Sequence, residues 1–216
     1  MTIKDSSIKV ISFDLDGTLT TKEFDEYIWE TAIPTLYAEQ HGISFGEAHK
    51  KVWDEYRTIP KNSLTWIDVK YWFDRFNFKK GWREVFDENK DRIRLYPDVK
   101  EVLNELKGKY KLIVITRSPH EFFEIKLSTA GLDGYFDRVF STADFARGVK
   151  GGGVFKRVCK LLDIEPGEML HVGDDPDFDV RMPATAGVTA VLIDRKGKTD
   201  AKKKIISRLS DVSSFL

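Results

Sequence analysis

The sequence predicts an α/β fold: a parallel sheet core with helices on both faces, interrupted early by a helical bundle. Three observations predict it. Short, β-rich apolar runs recur at residues 10–13, 112–116, 138–140, 169–172 and 189–193. Helical segments alternate with the later runs, at about 98–107, 119–130, 154–162 and 177–186. Between residues 18 and 96 there is no strand candidate, and all five tryptophans lie in that stretch.

The first run, Val10-Ile11-Ser12-Phe13, and its successors are continuously apolar, as suits strands buried on both faces of a parallel sheet. Alternation of such strands with helices is the pattern of βαβ units. In the insert, Phe24, Tyr27, Ile28, Ala32, Ile33, Leu36 and Tyr37 keep helical spacing, and Pro34 predicts a kink there. Ser44 with Glu47 forms a capping box for a helix carrying Ala48, Val52 and Tyr56. Pro60-Lys61-Asn62-Ser63 is a break, and residues 66–76 and 81–89 supply two more helices. The expected organisation is a discontinuous core, 1–17 and 97–216, with a four-helix domain at 18–96. Aromatics at helical spacing, Trp29, Trp53, Trp66, Trp72 and Trp82 among them, read as core of that domain, with one or two left to line a cleft.

Charge excludes some classes. Lys plus Arg balance Asp plus Glu at 35 each in 216 residues, so no global field points to nucleic acid or membrane. No apolar run is long enough to span a bilayer, and the polar start Met1-Thr2-Ile3-Lys4-Asp5 lacks a secretory pattern. One cysteine, Cys159, excludes an internal disulfide. A soluble, cytoplasmic protein is expected. The basic cluster of Arg195, Lys196, Lys198, Lys202, Lys203, Lys204 and Arg208 has no interleaved aromatics and reads as a solvated segment. His171 reads as core, His41 and His49 as surface, and His120 opens a helix near the cleft.

Ligands of an open α/β sheet gather at the carboxyl ends of its strands. The first strand ends in Asp14 and Asp16, the second in Thr116-Arg117-Ser118, and the fourth in Asp174, Asp175, Asp177 and Asp179. Carboxylates meeting in one cleft repel and resist burial, and a hard divalent cation such as Mg²⁺ compensates them. Asp175 and Asp177 fit equally well as caps of the following helix.

The segments "DLDGT", "VITRS", a later lysine and "GDDPDFD" resemble, in order and placement, the four motifs of the haloacid dehalogenase superfamily. The resemblance implies a Rossmann-like parallel sheet core with an inserted helical-bundle cap of type 1. It implies that Asp14 is a nucleophile forming an aspartyl-phosphate. It implies that Asp16 is the general acid for the leaving alcohol, then the base for water. Mg²⁺ would be held by the Asp14 side chain, the Asp16 carbonyl and Asp174. Thr116 would bind a phosphoryl oxygen, and Asp179 would position the motif lysine or a metal-bound water; Asp175 is the less favoured ligand.

Two positions depart from the family pattern. Lys150 takes the place of the third-motif lysine, yet Gly151-Gly152-Gly153 follows where prolines are usual; Lys156, within the helix, is the weaker candidate. Arg117 stands where the family often has Asn, and either reaches substrate or pairs with a carboxylate.

The resemblance therefore implies a Mg²⁺-dependent phosphatase acting on a small phosphorylated metabolite. A dehalogenase shares Asp14 but generally lacks an acid two residues on, because halide needs no proton to leave. A phosphomutase would use the same groups. A phosphonate hydrolase would need a cap lysine such as Lys50 or Lys51, and a non-catalytic interaction module would be expected to have lost Asp14 or Asp174.

Overall fold

In a computed structural model that describes residues 7–61, 63–145, 152–197 and 204–216, the strands are β1 (Val10–Phe13), β2 (Lys111–Thr116), β3 (Arg138–Ser141), β4 (Met169–Gly173), β5 (Thr189–Ile193) and β6 (Ile205–Ile206). They form one sheet in the order β3-β2-β1-β4-β5-β6, with every pair parallel. Alternation along each strand feeds two apolar layers. Ile11, Phe13, Val114 and Val172 face one layer, while Val10, Ile113, Ile115 and Met169 face the other. β1 lies between β2 and β4, so the winding reverses there and leaves a crevice beyond the carboxyl ends of β1 and β4. The five expected strands are present. β6 was not anticipated, because two apolar residues beside a basic run carry no readable period.

The helices are α1 (Glu23–Tyr27), α2 (Ile33–His41), α3 (Phe45–Tyr56), α4 (Leu64–Ile67), α5 (Val69–Arg75), α6 (Trp82–Asn89), α7 (Val99–Leu106), α8 (His120–Thr129), α9 (Gly152–Leu162) and α10 (Met182–Thr185). A π-turn, Ile28–Ala32, joins α1 to α2, and the Ile33 N–H reaches back to the Ile28 carbonyl. This widened turn lies where Pro34, lacking an N–H, was expected to kink the helix. Ser44 and Glu47 form the anticipated capping box. The single helix expected over 66–76 is divided: Asp68 is extended at φ −82°, ψ 102°, and its carboxylate accepts the Lys70 and Tyr71 N–H groups. The helix expected over 177–186 is likewise a π-turn, Pro176–Arg181, followed by α10.

The helices between Glu23 and Asn89 pack round a second cluster in which Phe24, Ile28, Val52, Tyr56, Trp72 and Phe86 are buried. Phe122 of α8 belongs to this cluster, so the helix following β2 ties it to the sheet. The two connections between the clusters run side by side: Thr21 N–H donates to the Arg94 carbonyl at 2.9 Å, and Tyr96 N–H to the Leu19 carbonyl at 3.1 Å. Arg195 corrects the expectation of a solvated basic cluster. It is half-buried, donates to both oxygens of Asp98 at 2.9 and 3.0 Å and to the Thr18 carbonyl at 2.8 Å, and lies over the Tyr96 ring. The half-enclosed Asp98 carboxylate needs a counter-charge, and Arg195 supplies it in bidentate form. Lys198, Lys202 and Lys203 lie outside the described residues. No helix among the described residues is long and apolar enough to cross a membrane.

Candidate active site

β1 delivers Asp14 to the crevice. Its N–H donates to the Val172 carbonyl at 2.8 Å, and the side chain is buried. The next residues fold into a tight loop. Leu19 and Thr20 N–H groups both return to the Leu15 carbonyl, and Gly17 N–H donates to the Thr20 carbonyl at 2.6 Å. Leu15 turns into the core, so Asp14 and Asp16, two residues apart, share the opposite side. Gly17 holds φ +89°, and a Cβ there would collide with Asp174 Oδ2 and Lys22. The position therefore needs glycine both for its left-handed backbone and for the close approach of Asp174.

β4 delivers Asp174. Gly173 is constrained by close approach alone, since a Cβ would strike the Asp179 carboxylate. Asp179 is buried in the π-turn; it accepts the Asp175 N–H at 2.9 Å and faces His171 Nε2 at 3.1 Å, while His171 Nδ1 meets Ser12 Oγ at 2.6 Å. This buried chain gives His171 a core role. Asp175 acts as a cap: one oxygen accepts the Asp177 and Phe178 N–H groups at 2.9 and 3.0 Å. Asp14, Asp174 and Asp179 each offer an oxygen, and these lie within 4.8 Å of one another. Three hard oxygen donors at that spacing fit a divalent cation. Lys22 reinforces the point: its ammonium is 2.7 Å from Asp174 Oδ2, so the cluster already draws a positive charge. Burial lowers the Lys22 pKa, but Asp174, Asp14 and Asp16 outweigh it and hold the ammonium charged. Burial pushes the Asp174 carboxyl up, more than Lys22 pulls it down, and Asp179 and Asp175 add repulsion.

From β2, Thr116 reaches the same cavity, and its Oγ1 accepts the Ser118 N–H at 3.1 Å. Arg117 lies over the Phe178 ring at 4.1 Å, with Asp175 4.0 Å away. Lys150 lies outside the described residues; Lys156 is exposed on α9 and does not line the cavity, nor do Lys50 and Lys51 of α3.

Sequence reasoning missed a buried cation behind this site. Lys126 of α8 is 1% exposed and donates to Asp16 Oδ1 at 2.6 Å, to Asp25 at 2.7 Å and to Ser118 Oγ at 3.1 Å. Thr20 Oγ1 also donates to Asp16 Oδ1, and Ser118 Oγ to Asp16 Oδ2, each at 3.1 Å. A carboxylate has about four acceptor sites, so these contacts fix Asp16 and leave one lone pair for a ligand. Burial lowers the Lys126 pKa, but Asp16 and Asp25 raise it further, so the ammonium stays charged. Burial and then the Asp16 charge push the Asp25 carboxyl up to about 7, against the pull of Lys126. A sequence signal existed: Lys126 follows Phe122 by four residues and sits on the buried stripe of Phe122, Phe123 and Leu127.

Asp14, Asp16, Lys22, Asp25, Thr116 and Asp174 line one cavity of about 480 Å³, roofed by Trp29, Trp53, Tyr56 and Trp66. That is the size of a small-molecule pocket. Three of the tryptophans read as core, Trp29, Trp53 and Trp66, thus line the cleft as well, more than the one or two expected.

A family model described as haloacid dehalogenase-like hydrolase matches residues 8–187. The chain is 29% identical to phosphoglycolate phosphatase of Haemophilus influenzae, covering 86% of this chain and 85% of that one. A haloacid dehalogenase-type phosphatase structure from Thermococcus onnurineus superposes with a TM-score of 0.82 at 29% identity, covering 95% and 96% of the two chains. A 2-haloacid dehalogenase structure from Pseudomonas syringae pv. tomato superposes with a TM-score of 0.70 at 21% identity, covering 96% and 97%; at that identity it shows a shared fold alone.

Proposed function

This chain belongs to the haloacid dehalogenase-like hydrolases, and from that premise we propose that it is a Mg²⁺-dependent phosphatase for a small phosphomonoester, working through an aspartyl-phosphate on Asp14. The observation that carries the reading is the pair at the end of β1. Asp14 is buried beside Asp174, while Asp16 is held by Lys126, Thr20 and Ser118 with one acceptor site to spare.

Asp14 attacks phosphorus: its carboxylate oxygen forms the new P–O bond, and the P–O bond to the alcohol breaks. Asp16 gives a proton to the departing oxygen. It then takes one from the water that attacks the aspartyl-phosphate, which releases inorganic phosphate and restores Asp14. Thr116 and the Lys22 ammonium bind phosphoryl oxygens at the rim of the carboxylate cluster. Asp14 and Asp174, with the Asp16 carbonyl, would hold Mg²⁺, which when bound neutralises phosphoryl charge. Asp179 orders the Asp175 N–H and the His171–Ser12 chain behind them, and Asp175 shapes the loop. Lys150 keeps its proposed place as the third-motif cation. Arg117, braced on Phe178, flanks the phosphate.

A dehalogenase does not use an acid at Asp16, because halide departs without a proton. An acid held beside Asp14 in the same cavity, with an acceptor site to spare, supports phosphoryl chemistry. Residues 18–96 form the cap in this reading, carried on the paired connections at Thr21–Arg94 and Leu19–Tyr96. The cap closes over a small substrate and excludes water. A reducing cytoplasm suits the buried free thiol of Cys159.

The test is turnover of p-nitrophenyl phosphate and an alkyl phosphate with Mg²⁺ and with chelator, alongside a 2-haloacid. Loss in chelator and return with Mg²⁺ is expected. Halide release without phosphate release, or full turnover in chelator, would overturn it.

A further inference from the structure

The cleft carries more negative charge than phosphate chemistry uses. Beyond Asp14, Asp16 and Asp174, its cap side presents Glu26 and Glu30, successive on one helical face that includes the π-turn. The Glu26 carboxylate makes no hydrogen bond or ion pair among the described residues; its backbone N–H donates to the Lys22 carbonyl. Glu30 holds Trp53 Nε1 at 3.2 Å, with His49 Nε2 at 3.5 Å. Carboxylates facing a pocket meant for a phosphate dianion repel it unless the other end of the ligand is positive.

The walls agree. Trp29 and Trp53 each meet Tyr56 edge-on, at interplanar angles of 80° and 73° and centroid distances of 5.9 and 5.6 Å. Rings at near right angles make a box rather than a slot for a flat base. Trp29 moreover is stacked on Phe122 at 19°, so one of its faces is taken. Tyr56 lines the same cavity, and its hydroxyl is buried with no hydrogen-bond partner among the described residues. Such an orphan acceptor is costly unless a ligand fills it. Aromatic boxes with adjacent carboxylates recognise ammonium groups, by the ring quadrupole and by charge. Lys61, the lysine on this side, is exposed at the rim.

We propose that the cap side of the cavity, walled by Trp29, Trp53, Tyr56 and Trp66 and charged by Glu26 and Glu30, receives an ammonium group on the leaving alcohol of the substrate. The ester is thus an amino- or quaternary-ammonium alcohol phosphate. This rests on the phosphatase reading, and the test separates the two.

Turnover of phosphocholine and phosphoethanolamine is compared with that of the neutral carbon isostere of phosphocholine, a nucleoside monophosphate and p-nitrophenyl phosphate. The cationic esters are expected to exceed the neutral isostere in kcat/KM by roughly tenfold or more. Glu30→Gln and Glu26→Gln should shrink that ratio. A neutral isostere used as well as phosphocholine, or a nucleotide preferred to both, overturns the assignment while p-nitrophenyl phosphate turnover keeps the phosphatase reading. If no monoester is hydrolysed, the phosphatase reading falls, and the box is judged by binding. Saturable quenching of tryptophan fluorescence by tetramethylammonium, weakened in Glu30→Gln, sustains it; absence of quenching overturns it.

Discussion

Replacing Lys126 with methionine keeps length and apolar volume but removes the charge that joins Asp16 to Asp25. Two carboxylates are then left facing each other without a cation. Breaking a buried pair in this way costs about 3–5 kcal/mol. Asp16 and Asp25 keep 19% and 26% of their side-chain surface open to the cavity, so water relieves part of the penalty. The lower end, about 3 kcal/mol, is therefore expected. That is a large share of a typical total of about 5–15 kcal/mol. Adding Asp25→Asn should restore about 1–2 kcal/mol, because the amide removes one of the stranded charges. The assay is urea unfolding of the four proteins of the cycle, read by tryptophan fluorescence. Kinetics should follow: Asp16 loses its anchor, and alkyl phosphate turnover falls more than turnover of aryl esters with acidic phenols. A loss under about 1 kcal/mol for Lys126→Met, or a double variant less stable than the single, would refute the reasoning.

Gly17→Ala places a methyl on Asp174 and forces an alanine to φ +89°, so it should cost about 1–3 kcal/mol and raise the Mg²⁺ concentration for half-maximal turnover; urea midpoints and metal titration check both. Tyr56→Phe deletes an unpartnered buried hydroxyl, so the thermal midpoint should hold or rise while the preference for ammonium esters falls; a loss of stability above about 1 kcal/mol would show that the hydroxyl is already paired. Asp25 binds its proton more tightly folded, at about 7, than at its ordinary 3.8, so its contribution to stability is greatest below that window and is lost as pH rises through it. The difference in urea midpoint between wild type and Asp25→Asn should change between those limits and stay flat above about pH 8.

The sheet was legible because buried parallel strands announce themselves locally: Val10–Phe13, Lys111–Thr116 and Met169–Gly173 are nearly unbroken apolar runs. The strand-end carboxylates were legible for the same reason, since each follows such a run. What escaped was pairing over long separations. Lys126 and Asp16 are 110 residues apart, and Asp25 lies in a helix whose period speaks only for its apolar face. Arg195 looked like one of several surface cations until Asp98, 97 residues earlier, was folded against it. Asp68 was readable as a cap, yet the apolar spacing on either side of it suggested one helix. Whether a tryptophan fills a core or walls a cleft depends on which neighbour leaves space beside it, and periodicity holds no information on that.

In the proposed reaction Asp14 is the nucleophile that accepts the phosphoryl group. Rapid acid quench of enzyme with substrate and Mg²⁺, followed by peptide mass analysis, tests it most directly. One phosphoryl group is expected on the peptide containing Asp14, transient in the wild type, longer-lived in Asp16→Asn and absent in Asp14→Asn. Turnover without any such adduct, or heavy oxygen from labelled water entering the Asp14 carboxylate rather than the released phosphate, would contradict it.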